Sequence, residues 1–193
     1  MSVGRAPRDG AEERGPVAPA LSLNEWVVLA LLSEEPAHGF AVSKQLRPES
    51  DLGRILTVHR PLVYRALDRV VGAGLAEAHQ TEPGDAGPNR TSYRVTDAGR
   101  EALDGWMRRP VGHVRDLRIE FLVKLRLTER AGRDPAALVA AQRAALDDTL
   151  DGLADPGPDA DVVDRWRHHN ALAARRFLDD LGGVPGPGSD PTG

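Results

Sequence analysis

Apolar positions recur along this chain with two different periods, and the change of period separates its parts. Leu23, Trp26, Val27, Ala30 and Leu31 follow the i, i+3, i+4, i+7, i+8 spacing of an α-helix, and Val28, Leu29 and Leu32 extend the apolar surface almost all round. Such a helix is expected inside the molecule, covered on more than one side. Ser22 followed three residues later by Glu25 predicts a capping box at its start, with Leu21 stapled onto Trp26. Pro36 and Gly39 interrupt the pattern. A short second helix is predicted over 39–47, anchored by Phe40, Val42 and Leu46 and stopped by Pro48. A third helix opens at Pro61, buries Val63, Ala66, Leu67, Val70 and Val71, and ends in a left-handed residue at Gly72 or Gly74.

After Leu75–Gln80 and the turn-rich TEPGDAGPN, the period falls to two. Thr91, Tyr93 and Val95 alternate with Arg90, Ser92 and Arg94, which predicts a two-stranded hairpin. Helical spacing returns at Thr96 or Asp97 with Ala98, Ala102, Leu103, Trp106 and Met107, and runs to Pro110. Everything beyond reads as helix. Residues 115–127 would bury Leu117, Phe121, Leu122 and Leu125. Asp134 and Pro135 open a long helix spaced on Leu138, Gln142, Ala145, Leu146, Thr149, Leu150 and Leu153. DPGPD at 155–159 separates it from a last helix on Val162, Val163, Trp166, Ala173, Phe177 and Leu181. The two long helices have near-heptad seams, which predict an antiparallel pair whose wide apolar faces need a further partner.

The order helix, helix, helix, hairpin, helix is the winged helix-turn-helix plan. The expected fold is therefore mainly α with a small β-hairpin wing: a winged helix-turn-helix domain over 21–110, then an all-α C-terminal domain over 111–182. The flanking residues 1–20 and 183–193 are rich in Gly, Pro and Ala without periodicity and are expected to be disordered tails.

Composition narrows the functions available. A chain of 193 residues, 40% hydrophobic and 28% charged, can bury one ordinary core or two small ones. Its net charge of -4 supplies no global attraction for a polyanion, so any nucleic-acid surface must be a local patch. Cysteine is absent, which excludes disulfides, thiolate metal sites and thiol nucleophiles. The longest apolar run, WVVLALL at 26–32, is far short of the roughly 20 residues of a membrane span, and no secretory signal precedes it. A cytoplasmic protein with no membrane partner is expected. Neighbouring His168 and His169 point about 100° apart on a helix and cannot share a metal. No nucleophile elbow, Walker loop, dinucleotide fingerprint or zinc-protease motif occurs, so no metal site, no cofactor and no enzymatic activity are expected.

The local patch exists. Between 39 and 72 the six basic side chains of Lys44, Arg47, Arg54, Arg60, Arg65 and Arg69 face the three acidic ones of Glu49, Asp51 and Asp68, an excess of three positive charges. In a winged helix the third helix enters the major groove, where guanidinium donors read base edges and phosphates, and the wing meets the backbone. Arg60, Tyr64, Arg65 and Arg69 on that helix, Lys44 and Arg47 before it, and Arg90 and Arg94 on the wing are the candidate DNA contacts. The plainer alternatives are that the arginines only solvate an exposed face and that Tyr64 packs in the core with its hydroxyl at the rim. Asp68 is expected to turn away from DNA or to pair with Arg65 or Arg69.

These segments also resemble a known family. LSLNEWVVLALLSEEPAHGFAVSKQL, with Pro36, His38, Gly39 and Phe40, resembles the opening of PadR-type transcriptional regulators. VYRALDRVVGAGLAEA, with Tyr64, Leu67, Gly74 and Leu75, resembles their recognition helix, and RTSYRVTDAGREAL resembles the strand and helix after the wing. The residues His59, Arg60, Pro61 and Leu62 depart from that pattern, which has a small capping residue and Gly or Thr there. From RDLRIEFLVKLRL onward the chain is similar to the longer helical dimerisation domain of one branch of the family.

The resemblance implies a homodimer on a palindromic double-stranded DNA operator, acting as a repressor that a small aromatic or natural-product effector releases. Trp26, Trp106, Phe121 and Trp166, with Phe177, are the available walls for an effector pocket; the plainer reading makes each a core or interface anchor. Two rivals remain open: a winged-helix regulator of the MarR type, and a winged-helix protein-interaction module that binds no DNA.

Overall fold

The computed structural model describes residues 20–84 and 87–183. The expected tails, apart from Ala20 and Gly183, and the tip residues Asp85 and Ala86 lie outside the described residues. The elements are α1 (Leu23–Glu34), β1 (Ala37–His38), α2 (Gly39–Lys44), α3 (Arg60–Gly72), β2 (Ala76–Gly84), β3 (Gly87–Val95), α4 (Asp97–Arg108), a 3-10 turn (Val114–Arg118), α5 (Glu120–Arg130), α6 (Ala136–Gly152) and α7 (Val162–Leu181). The fold is mostly helical, with a small antiparallel sheet.

Helix α1 buries every residue from Trp26 to Leu32, as its unbroken apolar run predicts. At its start the Glu25 carboxylate reaches back and accepts the Ser22 N–H at 2.7 Å, the reciprocal half of a capping box. It packs against α3, α4, α5 and β3 and so forms the centre of the first hydrophobic cluster. Helix α3 ends as the glycines predict. Gly74 takes φ 71°, and the N–H groups of Gly74 and Leu75 donate to the carbonyls of Val71 and Val70.

The predicted hairpin forms from β2 and β3, and the sheet extends it by a third strand. Its strand order is β1-β3-β2, with Ala37 opposite Tyr93 and His38 opposite Ser92. Two residues are too few to show a period, so β1 carried no sequence signal. The same short strand delivers His38 to the start of α2, where its Nδ1 accepts the Ala41 N–H at 3.0 Å.

The segment from 115 to 127 is not one helix. A 3-10 turn precedes Ile119, whose φ of -121° and ψ of -69° break the spiral before α5 begins. Starting afresh places Glu120 in the first turn of α5, where the helix dipole favours a carboxylate. Helix α5 then serves two cores. Val123 and Leu127 complete the cluster around α1, while Phe121 and Leu125 enter a second cluster with Leu138, Val139, Leu146, Leu150, Ala171, Ala174 and Leu178. Gln142 of α6 ties this second cluster to the chain between α4 and α5. Its side-chain amide is fully buried and accepts the Val111 N–H at 2.8 Å while donating to the Val111 carbonyl at 2.9 Å.

At the junction of the two clusters lies a buried cation that its charge alone would have placed outside. Lys124, 1% exposed, donates to the Arg109 carbonyl at 2.8 Å and to Glu120 Oε1 at 2.7 Å, and its Nζ stands 4.7 Å from the centre of the Trp106 ring. Trp106 Nε1 donates to the same Glu120 oxygen at 3.0 Å. Burial pushes the Lys124 pKa below its ordinary 10.5, against the raising effects of the Glu120 hydrogen bond and charge. The unfolded chain therefore holds this proton more tightly than the folded one. Its contribution to stability is unfavourable at neutral pH and improves as pH climbs through the folded pKa towards 10.5. The denaturant midpoint should accordingly rise more, or fall less, between pH 7 and pH 10 in the wild type than in Lys124→Met; parallel curves would show that this ammonium does not couple folding to pH.

Helices α6 and α7 pair antiparallel, since Arg143 bonds Asp179 at 2.7 Å and Arg175 bonds Asp151 nearer the other end of α6. The face of α7 that meets α6 differs from the predicted one. Ala171, Ala174 and Leu178 are buried, whereas Val162, Val163, Trp166 and Leu181 are 80%, 49%, 69% and 40% exposed. Small alanines let the two backbones approach, and the flanking ion pairs hold that rotation. The larger apolar residues are left on an outward stripe.

Candidate nucleic-acid interface

Helix α3 begins with His59 in the cap position, extended at φ -67° and ψ 142°, with no side-chain hydrogen bond closing the helix end. Pro61 sits in the first turn, where its missing N–H costs nothing. Val63, Ala66, Leu67 and Val70 fasten the helix to the core; Val71, expected in that stripe, is only partly buried. Arg60, Tyr64, Arg65, Asp68 and Arg69 stand outward.

The first turn of α3 is organised by two aromatic rings. Tyr64, 38% exposed, lies flat against Gly39 at the start of α2; a Cβ at that glycine would come within 2.9 Å of the ring. Phe40, expected to anchor α2 in the core, is instead 37% exposed. The Arg60 guanidinium lies 5.4 Å from the Phe40 ring centre and 5.5 Å from that of Tyr64, and its NH2 donates to the Tyr64 hydroxyl at 3.4 Å. Lys44 Nζ lies 4.9 Å from the Phe40 ring. Each such contact contributes on the order of 0.5–1 kcal/mol at an exposed site, enough to bias the rotamers of both cations. In a helix of six residues Phe40 could not reveal its facing through periodicity. Its place four residues before Lys44, on one helix face, was the available signal.

The remaining candidates are distributed more widely. Arg65 is exposed beside Tyr64, and Arg47 is exposed in the turn after α2. Arg69 leans back towards α1, with its Nε 3.7 Å from Glu25; Asp68 pairs with neither Arg65 nor Arg69 among the described ion pairs. On the wing, Arg94 is held by Glu77 of the adjacent strand at 2.7 Å, which neutralises its charge locally, while Arg90 is exposed. Thus Arg60, Tyr64 and Lys44 are brought together with Phe40, and Arg69 and Arg94 are engaged by carboxylates.

The aromatic residues named as pocket walls are placed otherwise than a pocket requires. Trp26 and Trp106 stack on each other with ring centres 5.4 Å apart and planes 5° from parallel, filling the space between them, and Phe121 is wholly buried in the second cluster. Trp166 stands in the open on α7. Phe177 borders a groove of about 280 Å³ shared with Val114, Leu117, Leu122, Asn170 and Ala173. No helix among the described residues is long and apolar enough to cross a membrane.

An outward helix start carrying a guanidinium and a phenol on aromatic supports, with more arginine beside it and a hairpin on the same sheet as the α2 cap, suits an extended anionic partner. The comparisons with known proteins point to one family. Residues 28–105 match the model of the transcriptional regulator PadR-like family. Among solved structures, the chain is similar to a PadR family transcription regulator from hypervirulent Clostridium difficile R20291, with 20% identity over 43% of this chain and 81% of that one and a TM-score of 0.36. It is also similar to PadR of Bacillus subtilis in complex with operator DNA, with 16% identity over 84% and 97% of the two chains and a TM-score of 0.45. No curated protein matches the chain by sequence. The matched segment runs from the middle of α1 to the last turn of α4, and over it the chain resembles the transcriptional regulator PadR-like family.

Proposed function

We propose that the chain is a ligand-responsive transcriptional repressor that binds a palindromic DNA operator as a homodimer, with 21–110 as its DNA-binding domain and 111–182 as its dimerisation domain. The observation that carries this reading is the start of α3, where Arg60 is held over Phe40 and Tyr64 beside a free-standing Arg65. Guanidinium groups pre-oriented at the N-terminal end of a major-groove helix suit guanine edges and phosphates, and the exposed Leu62 suits a thymine methyl. Lys44, Arg47, Arg90, Arg69 and Arg94 would serve the backbone, the last two after exchanging their carboxylate partners for phosphate.

The outward stripe of α7 supports self-association. Val162, Trp166 and Ala173 lie along one exposed face of a helix about 30 Å long, away from the buried Ala171, Ala174 and Leu178, with the half-buried Phe177 at the edge of that face against the second cluster. A two-fold axis would set this face against itself, so that each contact along it is made twice in the dimer. The groove bordered by Phe177 would lie in that seam, and it is where an effector of aromatic character would be received.

The test is an electrophoretic titration of the full chain against the DNA upstream of its own gene. With several phosphate contacts per subunit, affinity should drop by about a thousandfold between 50 and 200 mM salt, and Arg65→Ala should weaken binding by about tenfold or more. An unchanged Arg65→Ala complex removes that residue from the interface. A wild type that shifts neither this DNA nor random duplexes leaves the winged helix to protein contacts.

A further inference from the structure

We propose that Arg130, at the far end of α5, sets the operator spacing the dimer accepts, by locking the recognition helix to the C-terminal half of the chain. This inference rests on the homodimer reading above.

The geometry is a saturated fork. Arg130 Nε and NH2 donate to the two carboxylate oxygens of Glu34, the last residue of α1. NH1 donates to both oxygens of Asp51, at 3.1 and 3.2 Å, in the turn that leads to α3. NH2 also donates to the side-chain oxygen of Gln45, the residue that closes α2. One planar guanidinium thereby joins α5 to three places in the helix-turn-helix that are 79 to 96 residues earlier in the chain. The Asp51 turn is itself fixed under α3, since Leu52 is fully buried beside it and the Val58 N–H donates to the Leu46 carbonyl at 3.1 Å.

Helix α5 carries the closest contacts between the two halves of the chain, with a looser Arg133–Asp104 ion pair at 3.8 Å just beyond its end. Its first turn is pinned by Glu120 and Lys124 to Trp106 and Arg109. Its last residue is pinned by the Arg130 fork, about 15 Å further along the axis. Between them Val123 and Leu127 make apolar contacts, which tolerate a small slide or rotation, whereas directed N–H···O bonds do not. Two separated pins fix an orientation, and one alone leaves a swivel.

In a dimer joined through α7, that orientation determines the distance and angle between the two copies of α3. Adding one base pair between half-sites moves them by about 3.4 Å and turns them by about 34° around the DNA axis. Arg130 is thus a positioning residue for DNA recognition, without itself touching DNA.

The experiment starts from the duplex recovered when the wild-type full chain selects from random DNA. Affinity is then measured for that duplex and for versions with the half-site spacer one base pair longer and shorter. The wild type should lose about tenfold or more on either change, because simultaneous engagement is lost. Arg130→Ala and Arg130→Lys should both flatten the profile to less than about threefold while keeping most affinity for the single half-site, lysine failing because a point charge cannot occupy a planar fork. A purely structural role would lower affinity at every spacing alike and leave the profile intact, and that result overturns the inference. Asp51→Asn, which keeps the arginine and weakens one arm, should give an intermediate profile and guards against misfolding of the other variants. A wild type that selects no paired half-sites, or is monomeric, overturns the dimer reading and this inference with it.

Discussion

If the chain pairs through α7 as proposed, Trp166→Glu should leave it monomeric at micromolar concentration. The indole is 69% exposed near the start of an outward apolar stripe, so within one chain its replacement removes packing worth no more than about 0.5 kcal/mol. Across a two-fold seam the same substitution introduces two carboxylates into an apolar contact, each without a hydrogen-bond partner there. Burying such groups costs several kcal/mol each, comparable with the whole free energy of a modest dimer. Sedimentation should therefore show half the wild-type mass with an unchanged circular dichroism spectrum. Operator affinity should fall by about a hundredfold or more as the second half-site stops being engaged from the same particle. A variant that sediments with the wild-type mass would move the interface off α7.

Arg60→Ala has the second largest expected effect, a loss of about 10- to 100-fold in operator affinity measured by fluorescence anisotropy. The figure combines a lost charge-assisted contact with the loss of a pre-set orientation. The guanidinium rests on Phe40 and Tyr64 before any partner arrives, so less rotamer freedom is surrendered on binding. Phe40→Ala should reproduce part of the loss, because the same ring supports both Arg60 and Lys44. The double variant should then be clearly weaker than wild type but stronger than the product of the two single losses predicts. Strict additivity would mean that Phe40 does not act through Arg60.

Much of this molecule could be read from its residues, and what could not has a common cause. Helices α1, α3, α4 and α6 showed in the spacing of their apolar positions, and Gly74 and Pro61 marked ends that the backbone respects. The outward arginines of α3 followed once its buried stripe was known. The break at Ile119 contains neither Gly nor Pro, so nothing local announced it. The facing of α7 was misread because two apolar faces compete on that helix, and periodicity cannot say which one a chain keeps for itself. Lys124 and Arg130 look like ordinary solvated charges on a helix. Their roles come from carbonyls and carboxylates supplied by other elements, in the case of Arg130 from 79 to 96 residues away. Pattern records what each segment prefers, whereas these contacts record how segments meet.

The unbroken burial of α1 from Trp26 to Leu32 also has a consequence during synthesis. Trp26 to Leu32 offers no polar face, and its cover includes Trp106, Val123 and Leu127, which emerge from the ribosome about a hundred residues later. At roughly 5–20 residues per second that apolar segment waits about 5 to 20 seconds for its last neighbours. A nascent chain of this protein therefore carries, near its start, a stretch that a holding chaperone would recognise, and it releases that stretch only when α5 has arrived.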